Sequence, residues 1–142
     1  MLIEHTMLTE IEERCDAIEE SYEFMLGYAG KGLPSDEGSQ IRYYLQRAAG
    51  AIIGLAKSFS EVVEKQRIEP TEKYEAFLTV LDRDARDSLA AIELVLAQTA
   101  ISSQSIDNLN ASIHLRALLT DIFLLHGILR DRLKIDEAAA VD

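Results

Sequence analysis

Residues 8–25 read LTEIEERCDAIEESYEFM. Within this stretch the apolar positions Leu8, Ile11, Cys15, Ile18, Tyr22 and Met25 are separated by alternating steps of three and four. Such steps draw a single apolar stripe along a helix, and Glu10, Glu12, Glu13, Asp16, Glu19, Glu20 and Glu23 occupy the opposite face. The stripe runs on to Ala29 and stops at Gly30-Lys31-Gly32, where glycine can leave the helix in a left-handed conformation.

The same alternation recurs three times. Ile41, Leu45, Ala48, Ile52, Leu55, Phe59 and Val62 form a second stripe. Tyr74, Leu78, Leu81, Ala85, then Ser88 or Leu89, Ile92 and Leu96 form a third. Leu115, Leu118 with Leu119, Ile122, Leu125 with His126, Leu129 and Leu133 form a fourth. Ser35-Asp36-Glu37, Pro70-Thr71-Glu72 and Ser102 to Asp107 read as helix starts, with Ser35 capping the second helix and Ser105 or Asp107 the last. The expected helices therefore span about 6–30, 36–67, 71–101 and 106–134, with residues 136–142 fraying.

Short connections make successive helices antiparallel neighbours. The three–four spacing favours crossings near about 20°. The expectation is an all-α, single-domain antiparallel up-down-up-down four-helix bundle of long helices. The first and third helices are acidic, while the second (Arg42, Arg47, Lys57) and fourth (Arg116, Arg130, Arg132) are slightly basic. A sequential ring then places each acidic helix between two basic ones. Gly50 and Gly54, set among Ala48, Ala49, Ala51 and Ala56, suggest a close helix–helix approach or a plain patch of small residues.

The chain of 142 residues carries a formal net charge of −11. Over most of its surface it repels phosphate backbones and anionic bilayers, so neither nucleic acid nor membrane is an expected partner. The lone Cys15 cannot form an intramolecular disulfide, which fits a reducing, cytoplasmic setting. The first residues show no signal-peptide pattern. The most apolar stretch, Ala117 to Leu129, is too short to span a bilayer and contains Asp121 and His126.

Chemistry-bearing patterns are scarce. A carboxylate-bridged metal site in a bundle needs Glu-x-x-His pairs, and neither His114 nor His126 has one. Three scattered histidines and one cysteine do not make a zinc site. No metal, no cofactor and no catalytic activity are expected. His126 lies on the fourth stripe as a core-edge histidine, a ligand or a base. Cys15, Tyr22 and His126 are the candidates for lining an inter-helix cavity. Tyr22, Tyr28, Tyr43, Tyr44 and Tyr74 suit bundle edges, where the ring is buried and the hydroxyl wet. Asp121 interrupts the apolar run and, if buried, calls for an arginine from a neighbouring helix.

The fourth helix holds more apolar surface than one core can take. Phe123, Leu124 and Ile128 cannot face the same interior as Leu118, Ile122 and Leu129. A surplus of this kind marks an interface, and a second copy of the chain is the simplest partner, another protein the next. The expected function is a non-enzymatic helical interaction, scaffold or adaptor protein that self-associates through the fourth helix. The alternatives are a bundle that binds a small molecule in a cavity between helices and a histidine phosphotransfer-like domain. The run after His126 lacks the Lys-Gly usual in such domains.

Overall fold

The computed structural model describes the backbone of residues 2–141 and the side chains of residues 7–133. Among these residues the protein is all-helical: α1 (Leu2–Ala29), α2 (Ile41–Ile52), α3 (Leu55–Lys65), α4 (Thr71–Leu96), α5 (Ser103–Ala111) and α6 (Ile113–Val141). α1 packs against α2, α3 and α5, while α4 packs against α2, α3, α5 and α6. The stripes meet in the middle. Ile11, Ile18 and Met25 of α1, Leu45 of α2, Phe59 of α3, Leu81 and Ile92 of α4, and Leu118 and Ile122 of α6 are all buried. Each such side chain contributes about 1.5–3 kcal/mol by leaving water.

Two helices expected to be continuous are broken. The 36–67 segment starts only at Ile41 and is interrupted between α2 and α3. Ile53 (φ −63°, ψ 119°) and Gly54 (φ 82°, ψ 2°) have the dihedral angles of a type II turn. Glycine is required at the second of these positions because its φ is positive. The break frees carbonyls at the end of α2, and Arg14 of α1 takes them up. Its Nη1 donates to the oxygens of Ala51 at 3.1 Å and Ile53 at 2.6 Å, and more weakly to Gly50 at 3.4 Å. A Cβ on Gly54 would lie 3.5 Å from the Arg14 guanidinium. The glycines here do not serve a close helix–helix approach: Gly50 is exposed with open space around it, and Gly54 is a turn residue covered by a cation.

The second break falls at Ser112 (φ −64°, ψ 143°), where α5 and α6 meet at 54°. The cap of α5 is Ser102, whose Oγ accepts from Ser105 N at 3.0 Å, rather than Ser105 or Asp107. At its far end α6 continues to Val141, past the expected end at 134. The residues there include Ala138, Ala139 and Ala140, the best helix formers.

Ser35 does not cap the second helix, and Asp36 does not sit in its first turn. Asp36 is drawn into the tertiary structure instead. It accepts from Ile101 N at 2.8 Å and from Arg42 Nε at 2.8 Å. Arg42 then donates to the oxygens of Leu96 (3.0 Å), Gln98 (2.6 Å) and Thr99 (3.2 Å), which closes the C-terminus of α4 at Leu96 instead of 101. Ser103 Oγ donates to Tyr28 O at 2.7 Å and accepts from Leu33 N at 2.9 Å. Tyr28 itself is buried, not at an edge, and its hydroxyl donates to Ile101 O at 2.6 Å. Together these bonds tie the α1–α2 connection to the α4–α5 connection.

Candidate functional site

α6 has two flanks and one open face. Toward α1 it presents His126, whose Nε2 lies 4.0 Å from Glu12 Oε1. Across this seam, burial raises the pKa of Glu19 of α1, Asp16 adds to the rise, and the nearby His126 opposes it. Toward α4 it presents Asp121, Leu125 and Ile128. The two flanks differ in charge, because the α1 side sets a histidine against carboxylates and the α4 side sets carboxyl against carboxyl.

Asp121 is only 7% exposed and its Oδ2 has no hydrogen-bond partner. No arginine meets it, contrary to the sequence expectation. The group across the seam is Asp84 of α4. Burial raises the Asp121 pKa to about 7, and the hydrogen bond and the charge of Asp84 add to that effect. Two carboxyl groups can hydrogen-bond only if a proton lies between them. The sequence conceals Asp84, because the run Asp82 to Asp87 looks like a solvated face. Part of that run is one: Arg86 Nε bonds Asp82 Oδ2 at 2.9 Å on the exposed side. One residue in such a run can still turn inward, and the signal lay in Asp121, whose break in the apolar stretch asks for a partner.

Beside the acid pair, the α4/α6 seam opens into a groove of about 320 Å³ lined by Tyr74, Phe77, Leu124, Leu125 and Ile128, with Lys73 at its rim. Phe123, Leu124 and Ile128 are 59%, 51% and 43% exposed, so the interface candidates named from the sequence lie on open surface. Val80 of α4 is also exposed. Between Arg116 and Arg130 the sequence of α6 contains only two titratable side chains, Asp121 and His126, and both are directed into seams. The outer face of α6 is therefore uncharged over roughly 20 Å, at about 1.5 Å of rise per residue. In a chain with a net charge of −11, such a gap is a notable feature of the surface.

The cavity candidates lie elsewhere. Cys15 is buried among core side chains, and its pKa is pushed up to about 12 by burial first and then by Glu19, Asp16 and Glu12. Burial thus disfavours the thiolate, the form that acts as nucleophile or metal ligand. Tyr22 is half-buried against the core. His126 is half-buried beside Glu12. None of the three lines the α4/α6 groove, the groove at the α2/α3 turn, or the shallow sites at the ends of α5. Among the described residues no three His, Cys, Asp or Glu side chains are grouped to hold a metal ion. No single helix among them is long and apolar enough to cross a membrane. Comparison with known proteins finds no family model, no curated protein and no solved structure that matches the chain.

Proposed function

We propose that this chain is a non-enzymatic, cytoplasmic helical interaction protein, and that it self-associates through the outer face of α6. In this reading its segments act as the four arms of an antiparallel bundle, with α2 and α3 forming one arm and α5 and α6 another. The carrying observation is the uncharged outer face of α6, with Phe123, Leu124 and Ile128 exposed on it.

A second copy is favoured by charge placement. An antiparallel pairing of two α6 helices about a two-fold axis near Phe123 and Leu124 sets Arg116 opposite the partner's Asp131, and does so twice. Magnitudes favour a modest affinity. Covering the exposed parts of Phe123, Leu124 and Ile128 contributes on the order of 3 kcal/mol per protomer. Micromolar binding needs about 8 kcal/mol after the cost of association. Tyr74, Phe77 and Val80 must therefore join the contact.

Sedimentation equilibrium tests this directly. The wild type is expected to dimerise, and Leu124→Glu, which places a charge in the centre of the contact, is expected to leave a folded monomer. A wild-type chain that stays monomeric at high concentration would sink the proposal. One observation supports a second reading, in which the Tyr74–Phe77–Leu124 groove holds an apolar small molecule, since its volume lies at the lower end for ligand pockets. A monomer that binds an apolar fluorescent dye, and loses it in Phe77→Ala, would favour that alternative.

A further inference from the structure

We infer that Asp84 and Asp121 form a buried proton-binding site that locks α4 to α6, and that losing this proton loosens the seam. The geometry carries the inference. Asp121 is on the buried flank of α6, facing Asp84 on α4, and one of its oxygens is cut off from both protein partners and solvent. An isolated carboxylate in such a place is strongly disfavoured because nothing replaces its lost hydration. Two of them facing each other are worse, so the seam closes fully only with a proton between them.

The surroundings offer no substitute for that proton. From α4, the charged group that acts on Asp121 is Asp84 itself. Its neighbours Arg83 and Asp87 are exposed, and Ser88 is committed to His114 O at 2.8 Å. From α6, His114 and Arg116 are exposed. From α5, which packs against both helices, Asp107 is exposed, and Asn110 donates to Met25 O at 3.1 Å. His126 occupies the opposite flank of α6, where it faces Glu12 and Glu19 of α1. On the far side of α4, toward α2 and α3, Asp82 and Arg86 pair with each other.

The direction with pH follows. The folded protein holds this proton more tightly than the unfolded chain, in which the carboxyl titrates near pH 4. The stabilisation is complete below about pH 4 and is lost as the pH rises toward 7. Self-association is not needed for the site to work. Because Leu124 lies one turn from Asp121, however, the state of the seam shapes the apolar face beside it.

Carbon-13 NMR of the Asp121 carboxyl in the wild type is the primary test. A midpoint well above the ordinary carboxylate range is expected, and a midpoint near 4 overturns the inference whatever the variants do. The second test compares wild type with Asp121→Asn, whose amide donates to Asp84 at every pH. In the wild type the melting temperature is expected to fall between pH 4 and pH 8, and in the variant this component of the fall disappears. Amide exchange in residues 77–91 and 114–128, corrected for intrinsic rates, is expected to be about tenfold faster in the wild type than in the variant at pH 8, and equal at pH 4. Identical pH profiles for the two proteins would also overturn it.

Discussion

Asp36 and Asp121 are the same residue type, both withdrawn from bulk solvent, and they behave in opposite ways. Asp36 sits where two connections meet, accepting from the Ile101 amide and from the Arg42 guanidinium, and these bonds hold its pKa below the usual range. Asp121 sits in a seam where burial and the facing Asp84 raise its pKa to about 7. Burial alone does not decide how an acid behaves; the donors within reach do. One end of the molecule is held by an ionised acid with its bonds filled. The α4/α6 seam buries an acid whose surroundings favour its neutral form, and it opens onto exposed apolar surface. The first region has its polar groups satisfied, and the second leaves an acid oxygen unpartnered beside exposed apolar side chains.

The comparison can be broken most sharply at Asp36. Asp36→Ala strands the Ile101 amide and frees Arg42 from its anchor, and a loss of about 3 kcal/mol is expected in a denaturant titration at pH 7. Because the Asp36 pKa is lowered, its contribution is present above the ordinary carboxylate range and fades as the pH falls through the folded value. The wild-type advantage over this variant should therefore shrink in acid. Asp121→Asn should do the reverse, adding on the order of 2 kcal/mol at pH 8 and close to nothing at pH 4. If both variants respond to pH in the same direction, the contrast between the two acids is wrong. Tyr28→Phe is the gentlest probe. It removes the hydroxyl bond to Ile101 O while keeping the ring, and should cost about 1 kcal/mol at any pH below the tyrosine range.

The sequence conveys the stripes, and therefore the helical class and most of the core, because burial repeats at a period that spacing reveals. It conveys the surplus on the last helix for the same reason, and Phe123, Leu124 and Ile128 are indeed exposed. The breaks are hidden by their own tidiness. Leu45, Ala48, Ile52, Leu55 and Phe59 keep their three–four spacing straight through the Ile53–Gly54 turn, so periodicity carries no trace of it. The roles of Arg14 and Arg42 are also out of reach, since a cation that serves another helix's carbonyls looks like any surface arginine. The role of Asp84 is hidden as well, because partnership across a seam depends on which helices adjoin, and one helix's pattern does not contain that.

The turn at Ile53–Gly54 has a consequence for how such a chain can change in length. Inserting one residue into an uninterrupted helix rotates every later side chain by roughly 100°, turning a core stripe toward water. At this joint, α2 and α3 are separate helices joined by a turn, with Arg14 spanning the gap. An alanine inserted between Ile53 and Gly54 is expected to lower the melting temperature less than one inserted between Ala48 and Ala49. That outcome would make the joint a length adjuster, a place where the chain can drift in residue count while α2 and α3 both keep their grip on α1 and α4.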